Sequence, residues 1–155
     1  MKIETLDQII GHHRLFAGLD PGFLALVVGC AKNVRFEAGD YLLREGGSAD
    51  TIYLIRHGRV GLELNIPGTE PMRFQTVGPD EVLGLSWLVP PYRVNYDARA
   101  IEPTRAIAIE ASCLRAKCDA DPGLGYAVMK RFAPVIVERL HATRLQMLDL
   151  FGNRG

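Results

Sequence analysis

The sequence predicts a mainly β domain with flanking helices, in which short antiparallel strands form a sandwich or barrel. Between about residues 32 and 110, roughly seven or eight short runs of strand-forming residues are separated by Gly, Pro and Asp, a spacing typical of such folds. After Glu110 the apolar residues follow a helical spacing. The length of 155 residues fits one domain. We therefore expect a single domain over 1–155, with N-terminal helices in 1–31, strands in 32–110 and C-terminal helices in 111–151.

The charge and composition exclude several classes of protein. The 18 Lys and Arg residues balance 18 Asp and Glu residues, so the chain lacks the net basic charge typical of nucleic-acid-binding domains. Hydrophobic residues make up 48% of the chain and charged residues 23%, which is ordinary for a globular protein. The longest apolar run, residues 23–31, is far shorter than the roughly 20 residues that span a bilayer. We expect no direct contact with nucleic acid and no membrane segment.

The N-terminus and the cysteines favour a cytoplasmic protein. Residues 1–4 lack the basic segment and the apolar run of a signal peptide. The three cysteines, Cys30, Cys113 and Cys118, are few and odd in number, and they are not spaced as a disulfide framework. We therefore expect a cytoplasmic location and no disulfide framework.

Local signals predict the elements of the first two segments. Leu6–Ile10 can form a short helix that ends at Gly11, and Asp20-Pro21 places a capping carboxylate before a proline at the first position of a second helix. This second helix is expected to stop near Cys30. Turn residues separate the strands that we expect at 41–45, 51–56, 59–64, 72–77, 97–101 and 104–109.

Two helices are predicted after Glu110. Residues 112–120 form the first, and Asp121-Pro122 again resembles a cap followed by the first residue of a long helix that could run to Phe151. Pro134 lies inside this helix, where proline removes a backbone donor and clashes with the preceding turn. We expect a kink at that position.

The long helix has two flanks that could be buried. One flank follows the alternating steps of four and three that are typical of coiled-coil core positions. It consists of Met129, Ala133, Ile136, Leu140, Thr143, Met147 and Leu150. The helix can also pack against its own barrel through Val128, Phe132 and Val135 on another flank, and the two roles can coexist. We expect a homodimer seam formed by Ile136, Leu140, Thr143, Met147 and Leu150.

The sequence offers little support for an enzyme or a metal site. The four histidines, His12, His13, His57 and His141, are scattered, and no predicted strand carries the His-x-His pair of a metal-binding barrel. Three cysteines are too few for a zinc or iron–sulfur site. No Gly-x-Ser-x-Gly segment is present. We expect neither catalysis nor a bound metal; the rival interpretation, a metal-dependent cupin-like enzyme, would require metal in the purified protein.

Residues 84–100 form the segment with the most specific chemistry. It begins at Gly84, can make one helical turn over Leu85 and Ser86, and ends in a strand that carries arginines. Backbone N–H groups at a helix start and a nearby arginine, here Arg93, are groups that bind phosphate oxygens. Alternatively, Pro90-Pro91 makes a rigid loop and Arg93 pairs with a surface carboxylate. The residues alone leave both alternatives open.

The order of the segments resembles the cyclic nucleotide-binding domain of the Crp/Fnr regulators over nearly the whole chain. The matching segments are 15–19 and 23–26 in the opening helix, 36–40, 44–47 and 52–60 in the first strands with their turn glycines, 84–100 in the phosphate-binding cassette, and 139–143 in the dimerising helix. The resemblance implies an antiparallel β-roll, or jelly roll, with a long C-terminal helix. It also implies a regulatory module that senses cAMP, cGMP or another small phosphorylated ligand and signals through that helix to an unknown protein partner.

The cassette departs from the family pattern at several positions. Leu85 replaces the glutamate that follows the glycine, Val94 falls on the arginine position, and Asn95 and Tyr96 replace small residues. Leucine cannot accept a ribose hydrogen bond, and a buried hydroxyl without a partner costs about 1–3 kcal/mol. We expect Arg93 to reach the phosphate and Ser86 to replace part of the glutamate's role. The ligand-site residues that the resemblance implies are Gly84, Leu85, Ser86, Arg93, Val94, Asn95 and Thr143.

Further expectations concern the base of the ligand and the end of the chain. Thr143 matches the helix position that touches the base in the family, or it bonds to its own helix backbone. Trp87, Tyr92 and Tyr96 could stack on a base, although such residues more often fill cores and loops.

Only residues 152–155 follow the long helix, so we expect no DNA-binding domain. The alternative function is a degenerate module that binds no nucleotide and serves dimerisation or protein interaction.

Overall fold

The strands form two antiparallel sheets, as the sequence predicts. The structure, a computed structural model, describes residues 4–152, and the side chains of residues 4–149. Its strands are β1 (Ala31–Phe36), β2 (Tyr41–Leu43), β3 (Thr51–His57), β4 (Val60–Leu64), β5 (Met72–Val77), β6 (Val82–Leu83), β7 (Asp97–Ala100) and β8 (Thr104–Glu110). One sheet has the order β1-β8-β3-β6 and the other has the order β2-β7-β4-β5, so β5 and β6 are edge strands. The fold is the antiparallel β-roll that the resemblance implies.

Helices precede and follow the roll. They are α1 (Leu6–His12), α2 (Pro21–Val28), α3 (Ala111–Ala120) and α4 (Pro122–Gly152). The Asp20 carboxylate caps α2 as predicted, because it accepts a hydrogen bond from the N–H of Gly22 at 2.9 Å. Within residues 4–152, no helix is both long and apolar enough to cross a membrane.

The ends of α1 and β2 differ from the predicted ones, and the predicted kink in α4 is not tested. Gly11 does not end α1, which continues to His12, because the N–H of His13 still bonds to the Ile9 carbonyl at 3.2 Å. Strand β2 stops at Leu43 instead of residue 45, because the chain turns there and Gly46 adopts a positive φ of 84°. Helix α4 is continuous through Pro134, and the kink at that residue stays a prediction.

The helices bury one flank of α4 against the roll. Val128, Phe132 and Val135 are buried, as expected of the flank that serves the barrel. The Phe132 ring packs edge-on against Phe16, with the ring centroids 6.3 Å apart. This contact fixes the first half of α4 to the segment between α1 and α2.

A disulfide corrects the prediction drawn from the cysteines. Cys30, just after α2, is bonded to Cys113 in α3, and their Cα atoms lie 5.8 Å apart. The two residues are 83 positions apart in the sequence, so no local spacing could reveal the pair. The sheet brings them together, because β1 starts after Cys30 and pairs with β8, which leads into α3. The third cysteine, Cys118, carries a free thiol.

Candidate functional site

The cassette begins at a glycine that the fold requires. Gly84 has a φ of 94°, which L side chains rarely adopt, and a Cβ atom there would lie 2.6 Å from the Thr51 carbonyl oxygen. A single 3-10 turn, Leu85–Leu88, follows directly. The predicted glycine and helical turn are therefore confirmed. Leu85 and Ser86 lie on this turn and are half-buried.

Arg93 lies against the loop between β2 and β3. Its side chain is exposed, and its Nη1 atom donates to the Gly46 carbonyl at 3.3 Å. The backbone on either side is tied to the same loop, because the N–H of Val94 bonds to the Gly47 carbonyl at 2.9 Å and residue 93 bridges to Ser48. Arg93 thus contacts a carbonyl group rather than the surface carboxylate of the alternative interpretation, and this contact turns the guanidinium toward the loop.

The other implied ligand residues do not converge on one point. Val94, at the family's arginine position, is buried with 4% of its surface exposed, whereas Asn95 is exposed. Thr143 lies on α4 and its hydroxyl donates to the Arg139 carbonyl at 2.9 Å. The hydroxyl therefore makes the backbone bond that was the alternative to a ligand contact.

Tyr96 lies directly before β7 and is half-buried. Its ring packs edge-on against Phe74 of β5, with the centroids 5.9 Å apart. Burial raises the pKa of the Tyr96 phenol, while Arg139 and the backbone N–H of Gly84 act in the opposite direction.

Arg139 connects α4 to the start of the cassette. Its guanidinium donates to the carbonyl of Val82 in β6. Burial lowers the pKa of Arg139, and the neighbouring Tyr96 and Glu81 oppose that change. About two turns further along α4, the Gln146 side chain donates to the Phe74 carbonyl at 2.8 Å. Helix α4 therefore contacts two of the four edge strands, β6 through Arg139 and β5 through Gln146.

A second connection joins the cassette to the C-terminal helices. The buried Trp87 ring packs edge-on against Phe132 of α4, with the centroids 5.3 Å apart. Arg115 of α3 donates to the Trp87 carbonyl at 3.0 Å and stacks over the Tyr92 ring at 4.2 Å. In this structure the three cassette aromatics pack against the protein itself, which was the more common of the two expected roles.

Arg99, in the strand that ends the cassette, is paired with a carboxylate. Arg99 Nη2 lies 2.9 Å from the buried Glu63 Oε2. Asp97 is also buried and accepts hydrogen bonds from the Glu45 N–H at 2.7 Å and from Asn65 at 2.8 Å. Burial tends to raise the pKa of the Asp97 carboxyl, but these donors and Arg44 hold it below its ordinary value. Arg99 is therefore already paired with a carboxylate of the protein itself.

The predicted dimer seam is an exposed stripe. Ile136, Leu140, Thr143 and Met147 are all exposed to solvent in the single chain, and the Leu150 side chain lies outside the described residues. Apolar side chains exposed in a row on one helix are typical of interfaces. The dimer stays a prediction. Among residues 4–149, no three His, Cys, Asp or Glu side chains are grouped as metal ligands.

Sequence reasoning missed three residues that organise this region. Arg139 was noted only as part of the helix resemblance, and neither Arg115 nor Phe74 was singled out. The available signal for Arg139 was a charged residue on the flank of α4 that otherwise faces the roll. Leu124, Val128, Phe132 and Val135 define this flank in steps of three and four, and Arg139 follows at the next step.

Comparison with known proteins identifies the family. Residues 33–121 match the model of the cyclic nucleotide-binding domain. The CRP-like cAMP-activated global transcriptional regulator of Mycobacterium tuberculosis is 23% identical over 145 residues, covering 94% of this chain and 63% of the relative. The chain thus spans somewhat less than two thirds of that relative's length.

Solved structures agree with this assignment. A cyclic nucleotide-binding protein from Geobacter metallireducens superimposes with a TM-score of 0.77 at 26% identity, covering 90% of this chain and 100% of that one. The catabolite activator protein of Thermus thermophilus has a TM-score of 0.68 at 24% identity, covering 90% and 63%. The matched region includes the β-roll, the cassette and the start of the C-terminal helices, and the chain therefore belongs to the cyclic nucleotide-binding domain family.

Proposed function

We propose that the protein is a regulatory module that senses a small phosphorylated ligand at the cassette and signals through α4. The observation that carries this proposal is the pair of contacts between the cassette region and α4. Trp87 packs on Phe132 at 5.3 Å, and Arg139 donates to the carbonyl of Val82, two residues before Gly84. A ligand that repositions the cassette changes both contacts, and a ligand shifts a population only through such differential interactions.

The ligand class follows from the family and from the groups at the cassette. The mycobacterial relative is described as cAMP-activated, and the 3-10 turn at Leu85–Leu88 has backbone N–H groups without side-chain caps that can donate to anionic oxygens. Cyclic AMP and cyclic GMP are the first candidates. Arg93 would supply the cation after it leaves the Gly46 carbonyl.

Titration of the protein with cAMP and with cGMP tests this function. Trp87 is the only tryptophan of the chain, so its fluorescence reports the cassette–α4 contact while calorimetry reports binding. We expect heat and a fluorescence change with at least one nucleotide, and at least a tenfold weaker affinity in Arg93→Ala. Arg105→Ala removes another exposed arginine, on β8, and serves as the matched control. Absence of both signals with both nucleotides would overturn the cyclic-nucleotide function.

Assembly and location complete the proposal. A homodimer would form along Ile136, Leu140, Thr143, Met147 and Leu150, so that movement of α4 in one protomer affects the other. The exposed apolar stripe on the described part of α4 supports this arrangement. A cytoplasmic location and a protein partner that receives the signal remain part of the same proposal.

The second candidate is a dimerisation or protein-interaction module that binds no nucleotide. The contact of Arg93 with Gly46 and the absence of an acceptor at Leu85 favour it. The melting temperature separates the two candidates, because a ligand that binds only the folded state raises it. A rise with millimolar nucleotide supports the sensor, and an unchanged value supports the interaction module.

A further inference from the structure

The disulfide between Cys30 and Cys113 lies beside an open cleft. The cleft has a volume of about 580 Å³ and follows the start of β1, the start of β3 and the junction of β8 with α3. Its lining residues with polar or sulfur-containing side chains are Cys30, Lys32, Asp50, Thr51, Glu110 and Ser112. Cys30 is 8% exposed, and Cys113 is half-buried. One of the two bonded cysteines therefore borders a polar cleft of a size that admits a small molecule.

Cys113 lies where the fold stabilises a thiolate. It is the third residue of α3, and no described side chain caps the N-terminus of that helix. The N–H groups without an intrahelical partner and the helix dipole at such an end favour a negative charge on sulfur. A thiolate that is stabilised leaves faster when a disulfide is attacked. The helix thus favours Cys113 as the leaving sulfur and Cys30, the cysteine that lines the cleft, as the sulfur attacked.

The backbone keeps the two cysteines adjacent without the disulfide. The N–H of Glu110 donates to the Cys30 carbonyl at 2.8 Å, at the point where β1 begins to pair with β8. Lys117, about one turn beyond Cys113 in α3, donates to the carbonyl of Leu26 in the last turn of α2 at 2.9 Å. Neither bond involves sulfur, so both are available when the cysteines are reduced. The pair is therefore placed to be oxidised again.

The helix that carries Cys113 also holds the cassette. Arg115, two residues after Cys113, donates to the Trp87 carbonyl at 3.0 Å and stacks over the Tyr92 ring at 4.2 Å. The disulfide fixes this first part of α3 to the residue that follows α2. Breaking it would leave α3 attached to α2 by non-covalent contacts alone. The redox state of the cysteines is thus connected to the cassette through Arg115.

We propose that Cys30–Cys113 is a reversible redox site that a low-molecular-weight thiol reaches through the cleft, and that its reduction loosens the hold of Arg115 on the cassette. The thiolate of the small molecule bonds to Cys30 Sγ, the bond between the cysteines breaks, and its electron pair passes to Cys113 Sγ, which takes up a proton. A second thiol molecule attacks the mixed disulfide and releases the Cys30 thiol. The protein gains two electrons and two protons, and the two small thiols leave as one disulfide.

Reduction of the folded chain tests the access. In Cys118→Ser, which removes the other thiol, we expect millimolar glutathione at neutral pH to open the disulfide while the circular dichroism stays native. Alkylation and mass spectrometry count the released thiols, and oxidised glutathione should restore the bond. Reduction should lower the melting temperature by about 5–10 °C. The double variant Cys30→Ser/Cys113→Ser is the control and should not respond. A disulfide that resists the thiol until denaturant is added would overturn the proposal.

Hydrogen exchange tests the effect on the cassette, which a purely structural disulfide would not single out. We expect reduction to accelerate exchange about tenfold in residues 111–120 and 87–92, and to leave residues 60–77 in the other sheet unchanged. Arg115→Met should accelerate exchange in 87–92 in the oxidised chain and abolish its response to the thiol. Equal acceleration in all three segments, or none in 87–92, would contradict the link between the disulfide and the cassette. No nucleotide enters these measurements, so their failure leaves the proposed function standing.

Discussion

The two halves of α4 use the same flank in different ways. In the first half the residues that face the roll are buried and apolar: Leu124, Val128, Phe132 and Val135. In the second half, at the same helical spacing, they are Arg139, Ala142 and Gln146. The first half is therefore held by side-chain packing. The described part of the second half is held by polar contacts: the ion pair of Glu138 with Arg14, and two side-chain hydrogen bonds to the backbone of β6 and β5.

The two halves of α4 are therefore expected to differ in local stability. Burying a large apolar side chain contributes about 1.5–3 kcal/mol, whereas a hydrogen bond that replaces bonds to water contributes about 0.5–1.5 kcal/mol net. Regions with few buried contacts open locally before the whole protein unfolds. The second half of α4 is thus the part that can change position while the first half stays docked, which suits a helix that transmits a signal.

The largest expected effect comes from removing an anchor of the first half. Phe132→Ala deletes a fully buried ring that contacts both Phe16 and Trp87, so we expect the free energy of unfolding to fall by about 3–5 kcal/mol. Chemical denaturation followed by circular dichroism measures it. Met129→Ala, on an exposed position of the same helix, should cost less than about 1 kcal/mol. Comparable losses in the two variants would remove the distinction between the flanks.

The next effect concerns the seam of the second half. If α4 dimerises as proposed, Leu140→Glu should raise the dissociation constant of the dimer at least about 100-fold, or 2.7 kcal/mol, because it places a charge in an apolar contact. Leu140 is 50% exposed in the single chain and Leu145, on the opposite side of the helix, is 49% exposed. Leu145→Glu is therefore a closely matched control. Sedimentation velocity measures both, and equal effects, or a monomeric wild type, would contradict the seam.

A smaller effect is expected at Arg139, whose side chain bonds to β6 just before the cassette. Arg139→Met keeps much of the side-chain volume but removes the bond to the Val82 carbonyl, so we expect local stability of the second half to fall by about 1.5–2 kcal/mol. Hydrogen exchange of residues 139–147 measures this change. Arg144→Met, at an exposed position, should leave exchange as it is. If Arg139→Met instead destabilised the whole domain as much as Phe132→Ala, the two halves would not be separable.

The smallest effect is expected at Gln146, the second polar side chain that ties α4 to an edge strand. Gln146→Ala removes one hydrogen bond to the Phe74 carbonyl, which is worth about 1 kcal/mol. We expect faster exchange near residue 146 and in β5 only, with the melting temperature of the domain unchanged within about 1 °C. His141→Ala alters an exposed neighbour on another side of the helix and should change neither. A drop in the melting temperature in Gln146→Ala would show that this end is part of the cooperative core.

Elements with local causes could be predicted from the sequence. The Asp20 cap, the strands of the roll, the turn after Gly84 and the start of α4 at Pro122 depend on residues a few positions apart. The flank of α4 that packs on the roll was predictable for the same reason, since helical periodicity places Val128, Phe132 and Val135 together. The β-roll itself came from the order of strands, glycines and helices in the resemblance.

The parts that escaped prediction depend on residues far apart in the sequence. Cys30 and Cys113 meet because β1 pairs with β8. Arg93 turns to Gly46 because the cassette pairs with the loop after β2. From the sequence alone, Arg93 could contact either a phosphate or a surface carboxylate. Which contact it makes depends on the backbone that lies next to it in the folded chain.

By itself, the sequence determined an antiparallel β fold with a cassette and a long amphipathic helix, because glycine positions, caps and apolar periodicity act over short distances. Tertiary structure decided what holds α4. Arg139 of α4 meets the Val82 carbonyl of β6, and Gln146 of α4 meets the Phe74 carbonyl of β5, only when these edge strands lie beside the helix. Such contacts depend on side chains packing from several elements at once, which no single segment of sequence specifies.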